Sequence, residues 1–80
     1  MKTLHVELYG RLKDQMGFSG RSVQSTAGTP RQLWQEIVSC AGESLRPDSI
    51  RPVINDAFVD WDTVLSEGDR VAFLPPSSGG

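Results

Sequence analysis

Eighty residues with a formal charge of −2 allow one small domain and leave no room for a core plus a wide catalytic cleft. The eight Lys and Arg residues are scattered without a basic run, which speaks against nucleic acid as a partner. The single cysteine, Cys40, excludes a disulfide within the chain, so stability rests on packing, and a lone thiol suits a reducing compartment.

The first five residues, Met1 to His5, hold no apolar run of signal-peptide length. No segment approaches the roughly 20 apolar residues of a membrane span. The expectation is a soluble, cytoplasmic chain with no membrane partner. Leu4, Val6 and Leu8 alternate with Thr3, His5, Glu7 and Tyr9, the period of a half-buried strand. Gly17 to Gly20 is a turn-rich gap, and Ser22 to Ser25 around Val23 reads as the returning strand, so residues 2 to 25 predict a hairpin with a longish connection.

The helix is the clearest local signal. Thr29 suits an N-cap, Pro30 the first helical position, and Gln32 completes a capping box. Leu33, Trp34, Ile37, Val38 and Ala41 then share one face, and Gly42 is a natural stop. These positions predict a helix from Pro30 to Ala41. Glu43 to Ser49, with Pro47, reads as a loop. Arg51 to Asn55 and Phe58 to Trp61 are short apolar segments around the turn dipeptide Asn55-Asp56. Ser66 to Asp69 is a second turn in which Gly68 can take a positive φ. Arg70 to Leu74 is a last strand, ended by Pro75-Pro76. Strands, one helix, then strands again predict an α+β fold, one sheet covered on one face by one main helix.

No catalytic constellation emerges from the side chains. One His and one Cys cannot assemble a metal set of N/S ligands. His5 falls on the non-core face of the first strand and reads as a surface histidine. Cys40 reads as a packing thiol. Asp60 and Asp62 flank Trp61 and read as a solvated turn. The glycines make no phosphate-cradling pattern.

The C-terminus is where chemistry concentrates. Gly79-Gly80 closely follows a Pro-Pro stop. Without side chains, a terminal carboxylate can enter a narrow channel in another protein. The stretch from Pro75 to Gly80 reaches about 20 Å when extended, and Pro75-Pro76 stiffens its base. Strand phase adds a docking face. If Val71 and Phe73 face the helix, Leu74 faces away; by the same alternation Tyr9 and Phe58 face away too. Tyr9, Phe58 and Leu74 then form an apolar patch on the helix-free face.

Residues Val53 to Gly80 read VINDAFVDWDTVLSEGDRVAFLPPSSGG. Val59-Asp60-Trp61-Asp62-Thr63, the Glu67-Gly68-Asp69-Arg70-Val71 turn, Ala72-Phe73-Leu74-Pro75-Pro76 and Gly79-Gly80 together resemble the ubiquitin-like sulfur-carrier family. Within it they resemble the branch of molybdopterin synthase small subunits. Tyr9-Gly10-Arg11-Leu12-Lys13-Asp14 resembles the family's first strand end, whereas Phe18 to Arg51 matches in pattern only. The thiamine-pathway carriers share the Gly-Asp turn and the Gly-Gly but typically lack the two prolines. Ser77-Ser78 replaces residues that are often bulkier in the family.

The resemblance implies a β-grasp (ubiquitin-like) fold with a mixed sheet, a domain over residues 1–76 and a flexible tail over 77–80. It implies that the Gly80 carboxylate, next to Gly79, is adenylated and converted to a thiocarboxylate, with sulfur then passed to cyclic pyranopterin monophosphate. The chain would have no active site of its own and bind no cofactor or metal; ATP would be consumed by the activating enzyme. The implied partners are an adenylating enzyme of the MoeB type and the large subunit of molybdopterin synthase, in a heterotetramer. They would contact Tyr9, Phe58 and Leu74 and the tail residues Pro75, Pro76, Ser77 and Ser78. Three other readings remain open: a ubiquitin-like modifier joined to lysines through Gly80, a carrier for thiamine, and a binding module without tail chemistry.

Overall fold

The computed structural model describes residues 1–41 and 50–75. The first strand, β1, spans Lys2–Leu8, with Leu4, Val6 and Leu8 buried and the alternate residues turned to the opposite face. It pairs antiparallel with β2, Gly20–Ser25, from Lys2 opposite Ser25 to Glu7 opposite Gly20. The expected hairpin is therefore present, but its connection is not plain loop. It holds α1, Arg11–Met16, which buries Leu12 and lays Met16 against the core; Gly17 ends it in the left-handed region at φ 83°. Six residues are too few to display a helical period, and one Leu four positions before one Met is its whole apolar pattern.

The main helix, α2, spans Pro30–Ala41 as its capping signals predict. The Gln32 amide donates to Thr29 Oγ1 at 3.3 Å, while the Gln32 side chain reaches back to accept from the Gly28 amide at 2.6 Å. In an ordinary capping box that return bond goes to the cap residue itself; here it lands one residue earlier. Leu33 and Trp34 are fully buried, with Ile37 and Val38 packed beside them. Gly42, the expected stop, and the loop from Glu43 to Ser49 lie outside the described residues.

Strands β3, Arg51–Ile54, and β4, Ala57–Phe58, form a tight hairpin. Asn55 and Asp56 both take positive φ, 50° and 71°, as a two-residue primed turn requires. The sequence suggests an apolar segment running on to Trp61, yet the ladder stops at Phe58. The next pair would oppose Val59 to Pro52, which has no N–H to give. One bond remains there, from the Val59 amide to the Pro52 carbonyl at 3.2 Å. The last strand, β5, is Arg70–Leu74. It follows a turn in which Gly68 takes φ 83°, its amide donates to the Thr3 carbonyl at 2.8 Å, and Asp69 Oδ2 accepts from the Ser66 amide at 2.8 Å.

The five strands form one mixed sheet in the order β2-β1-β5-β3-β4. The first and last strands lie side by side and parallel, from His5 opposite Arg70 to Leu8 opposite Phe73. Helix α2 covers one face. Beneath it an aromatic cluster forms the middle of the core: Trp34 tilts on Phe73 at 5.0 Å, Trp61 stacks on Phe73 at 5.8 Å, and the two indoles meet edge to face at 6.4 Å. Ile50 and Leu65, neither of them in a helix or a ladder, complete it. Among the described residues no helix is long and apolar enough to cross a membrane.

Candidate functional site

Alternation along β1, β3, β4 and β5 decides what the helix-free face carries. Because Val71 and Phe73 are buried under α2, Arg70, Ala72 and Leu74 point away from it. Register then sets Val53 beside Ala72 and Phe58 beside Val53. Tyr9, directly after β1, joins them. Together Tyr9, Val53, Phe58, Ala72 and Leu74 floor an open dip of about 250 Å³. Phe58 is 63% exposed and Tyr9 47%, large values for aromatic rings in an 80-residue fold. Ala72 is shielded at 7% although it faces away from α2, since it sits mid-sheet between Glu7 and Val53.

Charged groups rim this floor. Arg70 Nη2 meets Asp56 Oδ2 at 2.7 Å, and the Arg51 guanidinium lies over the Phe58 ring at 5.1 Å. The Tyr9 hydroxyl donates to Glu7 Oε1 at 3.0 Å. That bond, then partial burial and the negative charges of Glu7 and Asp56, hold the phenol above its ordinary 10.0, against a smaller opposing pull from Arg70. The folded chain thus favours protonated Tyr9. Any stability this lends is complete below pH 10.0 and is lost as pH rises through the raised value. Tyr9 is the only tyrosine, so ultraviolet titration reads it alone. We expect a midpoint above that of a free phenol, falling back towards it in Glu7→Gln. A midpoint at the free value in the unaltered chain would mean that the contact does not form in solution.

The structure therefore brings Tyr9, Phe58 and Leu74 onto one face, where strand phase predicted them. Pro75 follows Leu74 directly, half-buried against Gly10, so the start of the tail borders the same face. Pro76, Ser77, Ser78, Gly79 and Gly80 lie outside the described residues, as does the expected domain boundary at residue 76. The sequence reading missed Val53 as floor and Glu7, Asp56, Arg70 and Arg51 as rim. The pairing of β5 with β1 and β3 and the turn between β3 and β4 reveal them, and no sequence period encodes that pairing.

The remaining candidates sit elsewhere. His5 is exposed with Nδ1 2.9 Å from Ser22 Oγ, towards the β2 edge. The Cys40 side chain lies outside the described residues. Asp62 does not act with Asp60 but caps a link to α2. Its two oxygens accept from Arg31 Nε at 3.0 Å and Nη2 at 3.3 Å, and this bonding draws its carboxyl below the usual range. Among the described residues no group of three or more His, Cys, Asp or Glu could hold a metal ion. A larger open groove of about 700 Å³ runs beside α2 from Thr26 to Ser39. Its one charged group, Glu36, already shares the single proton of the buried Ser25 hydroxyl between its two oxygens, at 2.8 and 2.7 Å.

A mixed sheet with parallel first and last strands at its centre, clasping one long helix, defines a ubiquitin-like β-grasp protein. The chain belongs to the ThiS family, whose pattern matches residues 6–80. It is 25% identical over 80 residues to the molybdopterin synthase sulfur carrier subunit of Escherichia coli (strain K12), covering 96% of this chain and 99% of that one. The fold is shared with SAMP1 from Haloferax volcanii, at TM-score 0.80 and 23% identity, over 98% of this chain and 99% of the other. It is also shared with a chain from the complex of subunits 1 and 2 of molybdopterin-converting factor from Helicobacter pylori, at TM-score 0.69 and 23% identity, over 98% and 99%.

Proposed function

We propose that this chain is the sulfur-carrying small subunit of a molybdopterin synthase, working through the terminal carboxylate of Gly80. The observation that carries the reading is a juxtaposition: the exposed Tyr9–Phe58–Leu74 face lies at the end of β5 from which the Pro75–Gly80 tail departs. A partner docked on that face receives the tail without any movement of the globular body. The E. coli relative's name and the two-subunit composition of the H. pylori complex support the same reading.

The chemistry follows from what a carboxylate lacks. Its negative charge repels nucleophiles and oxide is a poor leaving group. An adenylating enzyme of the MoeB type would let a Gly80 oxygen attack the α-phosphorus of ATP, expelling pyrophosphate. A sulfide-delivering donor would then attack the acyl carbon, with AMP leaving, to give a thiocarboxylate. Docked on the large synthase subunit, that sulfur would attack a side-chain carbon of cyclic pyranopterin monophosphate, forming a C–S bond as a C–O bond at that carbon breaks and the oxygen leaves as water. Water would afterwards cleave the acyl–sulfur bond, restoring the carboxylate. In each step the chain supplies a displaced nucleophile and the partner supplies the site. No His, metal or thiol of the carrier enters.

The face should carry the binding energy of both encounters. Phe58→Ala is expected to cost about 2 kcal/mol of partner affinity, roughly thirtyfold in Kd, since a central exposed aromatic is the usual anchor. Leu74→Ala should weaken docking in the same direction. Phe58→Ala should not shift the melting temperature much, because Phe58 is mostly in solvent. Titration calorimetry against the large subunit, beside a thermal melt, checks this; a Phe58→Ala chain that docks at full strength would remove the face from the reading.

A second reading is a ubiquitin-like modifier whose Gly80 forms amides with lysines. The likeness to SAMP1, a small archaeal modifier protein, favours keeping it. Both readings begin with adenylation and part at the next step. The deciding experiment is intact mass after incubation with an adenylating enzyme, ATP and a sulfide source. Replacement of one oxygen by sulfur at Gly80 supports the carrier. No gain, with the enzyme active on another carrier, and Gly80 found on lysine ε-amines in extracts, would move the modifier to the front.

A further inference from the structure

The parallel pairing of β1 with β5 ends at Leu8 opposite Phe73. Continued by two residues, that register sets Gly10 level with Pro75. At this height both strands stop. Pro75 has no N–H for a ladder, and Gly10 turns the chain into α1 with φ 58° and ψ −134°, a combination glycine reaches without strain. A Cβ placed on Gly10 would stand 2.9 Å from Pro75 Cγ, closer than carbon atoms tolerate, and 3.8 Å from Pro75 Cδ. The bare Cα of Gly10 is thus the surface on which the proline ring rests.

We propose that Gly10 is a positioning residue for the tail: it seats the Pro75 ring and so sets the direction in which the chain leaves the sheet towards Gly80. This rests on the carrier reading, since a direction matters only if the last carboxylate must be delivered. Pro75 cannot rotate about its N–Cα bond, so a shift of its ring becomes a shift of everything beyond it. Tyr9 and Leu74, the residues just before the two that touch, belong to the docking face. Face and tail base are therefore fixed to each other across one contact. A side chain at position 10 would leave the face able to dock but present the tail at the wrong angle. Misplacement by about 1 Å can cost up to a hundredfold in a reaction that depends on alignment.

Gly68 supplies the control for backbone strain. It too has positive φ, 83°, but a Cβ there meets nothing within 4 Å, and it sits at the opposite end of β5. The test measures initial rates of Gly80 charging over a range of carrier concentration for the unaltered chain, Gly10→Ala, Gly68→Ala, Pro75→Ala and the Gly10→Ala/Pro75→Ala double variant. Gly10→Ala is expected to lose about tenfold or more in kcat with KM little changed. Gly68→Ala should charge normally despite its strained turn. The double variant should charge much closer to the rate of Pro75→Ala than the Gly10→Ala factor would allow, because the ring that Cβ displaces is gone and only the backbone strain at position 10 remains. Full-rate charging of Gly10→Ala, or a double variant slower than Pro75→Ala by the Gly10→Ala factor, overturns the proposal. A nuclear Overhauser contact between Gly10 Hα and Pro75 Hγ in the unaltered chain is the second readout and does not depend on any variant folding. Its absence overturns the seat. Its presence in a chain that no activating enzyme charges strikes the carrier reading and leaves the seat standing.

Discussion

Phe73→Ala should strip the chain of about 3–5 kcal/mol, a large share of its stability, and move its unfolding to much lower urea. Phe73 has no exposed surface and touches both Trp34 of α2 and Trp61 of the segment after β4, at 5.0 and 5.8 Å between ring centres. It also occupies the central strand, opposite Leu8 on one side and Pro52 on the other. Truncating a buried Phe to Ala costs about 3–5 kcal/mol. At about 0.05–0.15 kcal/mol per residue, an 80-residue chain holds about 4–12 kcal/mol in total. The loss thus takes a large share of the stability, and no disulfide stands behind it. Urea denaturation followed by tryptophan fluorescence reads the change directly, since both indoles border the site. A cost below about 1.5 kcal/mol, the range of tolerated volume-conserving swaps, would mean that the aromatic cluster is not the centre of the core.

Removing Gly79-Gly80 should do the reverse. The described core uses nothing beyond Pro75, so a chain ending at Ser78 is expected to melt with the full one. It should still dock through Tyr9, Phe58 and Leu74. On the carrier reading it should take up no sulfur, because the terminal carboxylate then sits on Ser78 and stops about 7 Å short. Intact mass after charging, with a melt alongside, separates the two properties. Cofactor production at the normal level by the shortened chain would defeat the tail chemistry altogether.

These two changes mark what the sequence encodes openly and what it does not. Helix α2 was legible because Thr29, Pro30 and Gln32 announce its start and Leu33, Trp34, Ile37 and Val38 repeat at helical spacing along one face. Strand β1 was legible because apolar and polar residues alternate along it, and β5 because a short apolar run lies between the Gly68 turn and Pro75-Pro76. The turn at Asn55-Asp56 was legible because few other dipeptides accept positive φ twice. Helix α1 was not, since six residues cannot show a period. The stop of β4 at Phe58 was not, because it depends on Pro52, a residue distant until the hairpin forms. For the candidate site, phase alone placed Tyr9, Phe58 and Leu74 on one face. The rim of Glu7, Arg51, Asp56 and Arg70, and the contact of Gly10 with Pro75, come from cross-strand register. Register is a property of pairs far apart in the chain, and a local reading has no access to it.

The central place of β5 beside β1 has a consequence for how the protein is made. His5 in β1 has no strand neighbour on one side until Arg70 arrives, and β3 likewise waits for β5 to join it to the rest. A nascent chain interrupted before Leu74 would hold a β1–β2 hairpin and a β3–β4 hairpin with nothing between them. The sheet closes late, as the stem of the tail is being added. On the carrier reading this couples docking to possession of that stem: a copy whose apolar face is assembled has already been translated as far as the residues that lead to Gly80.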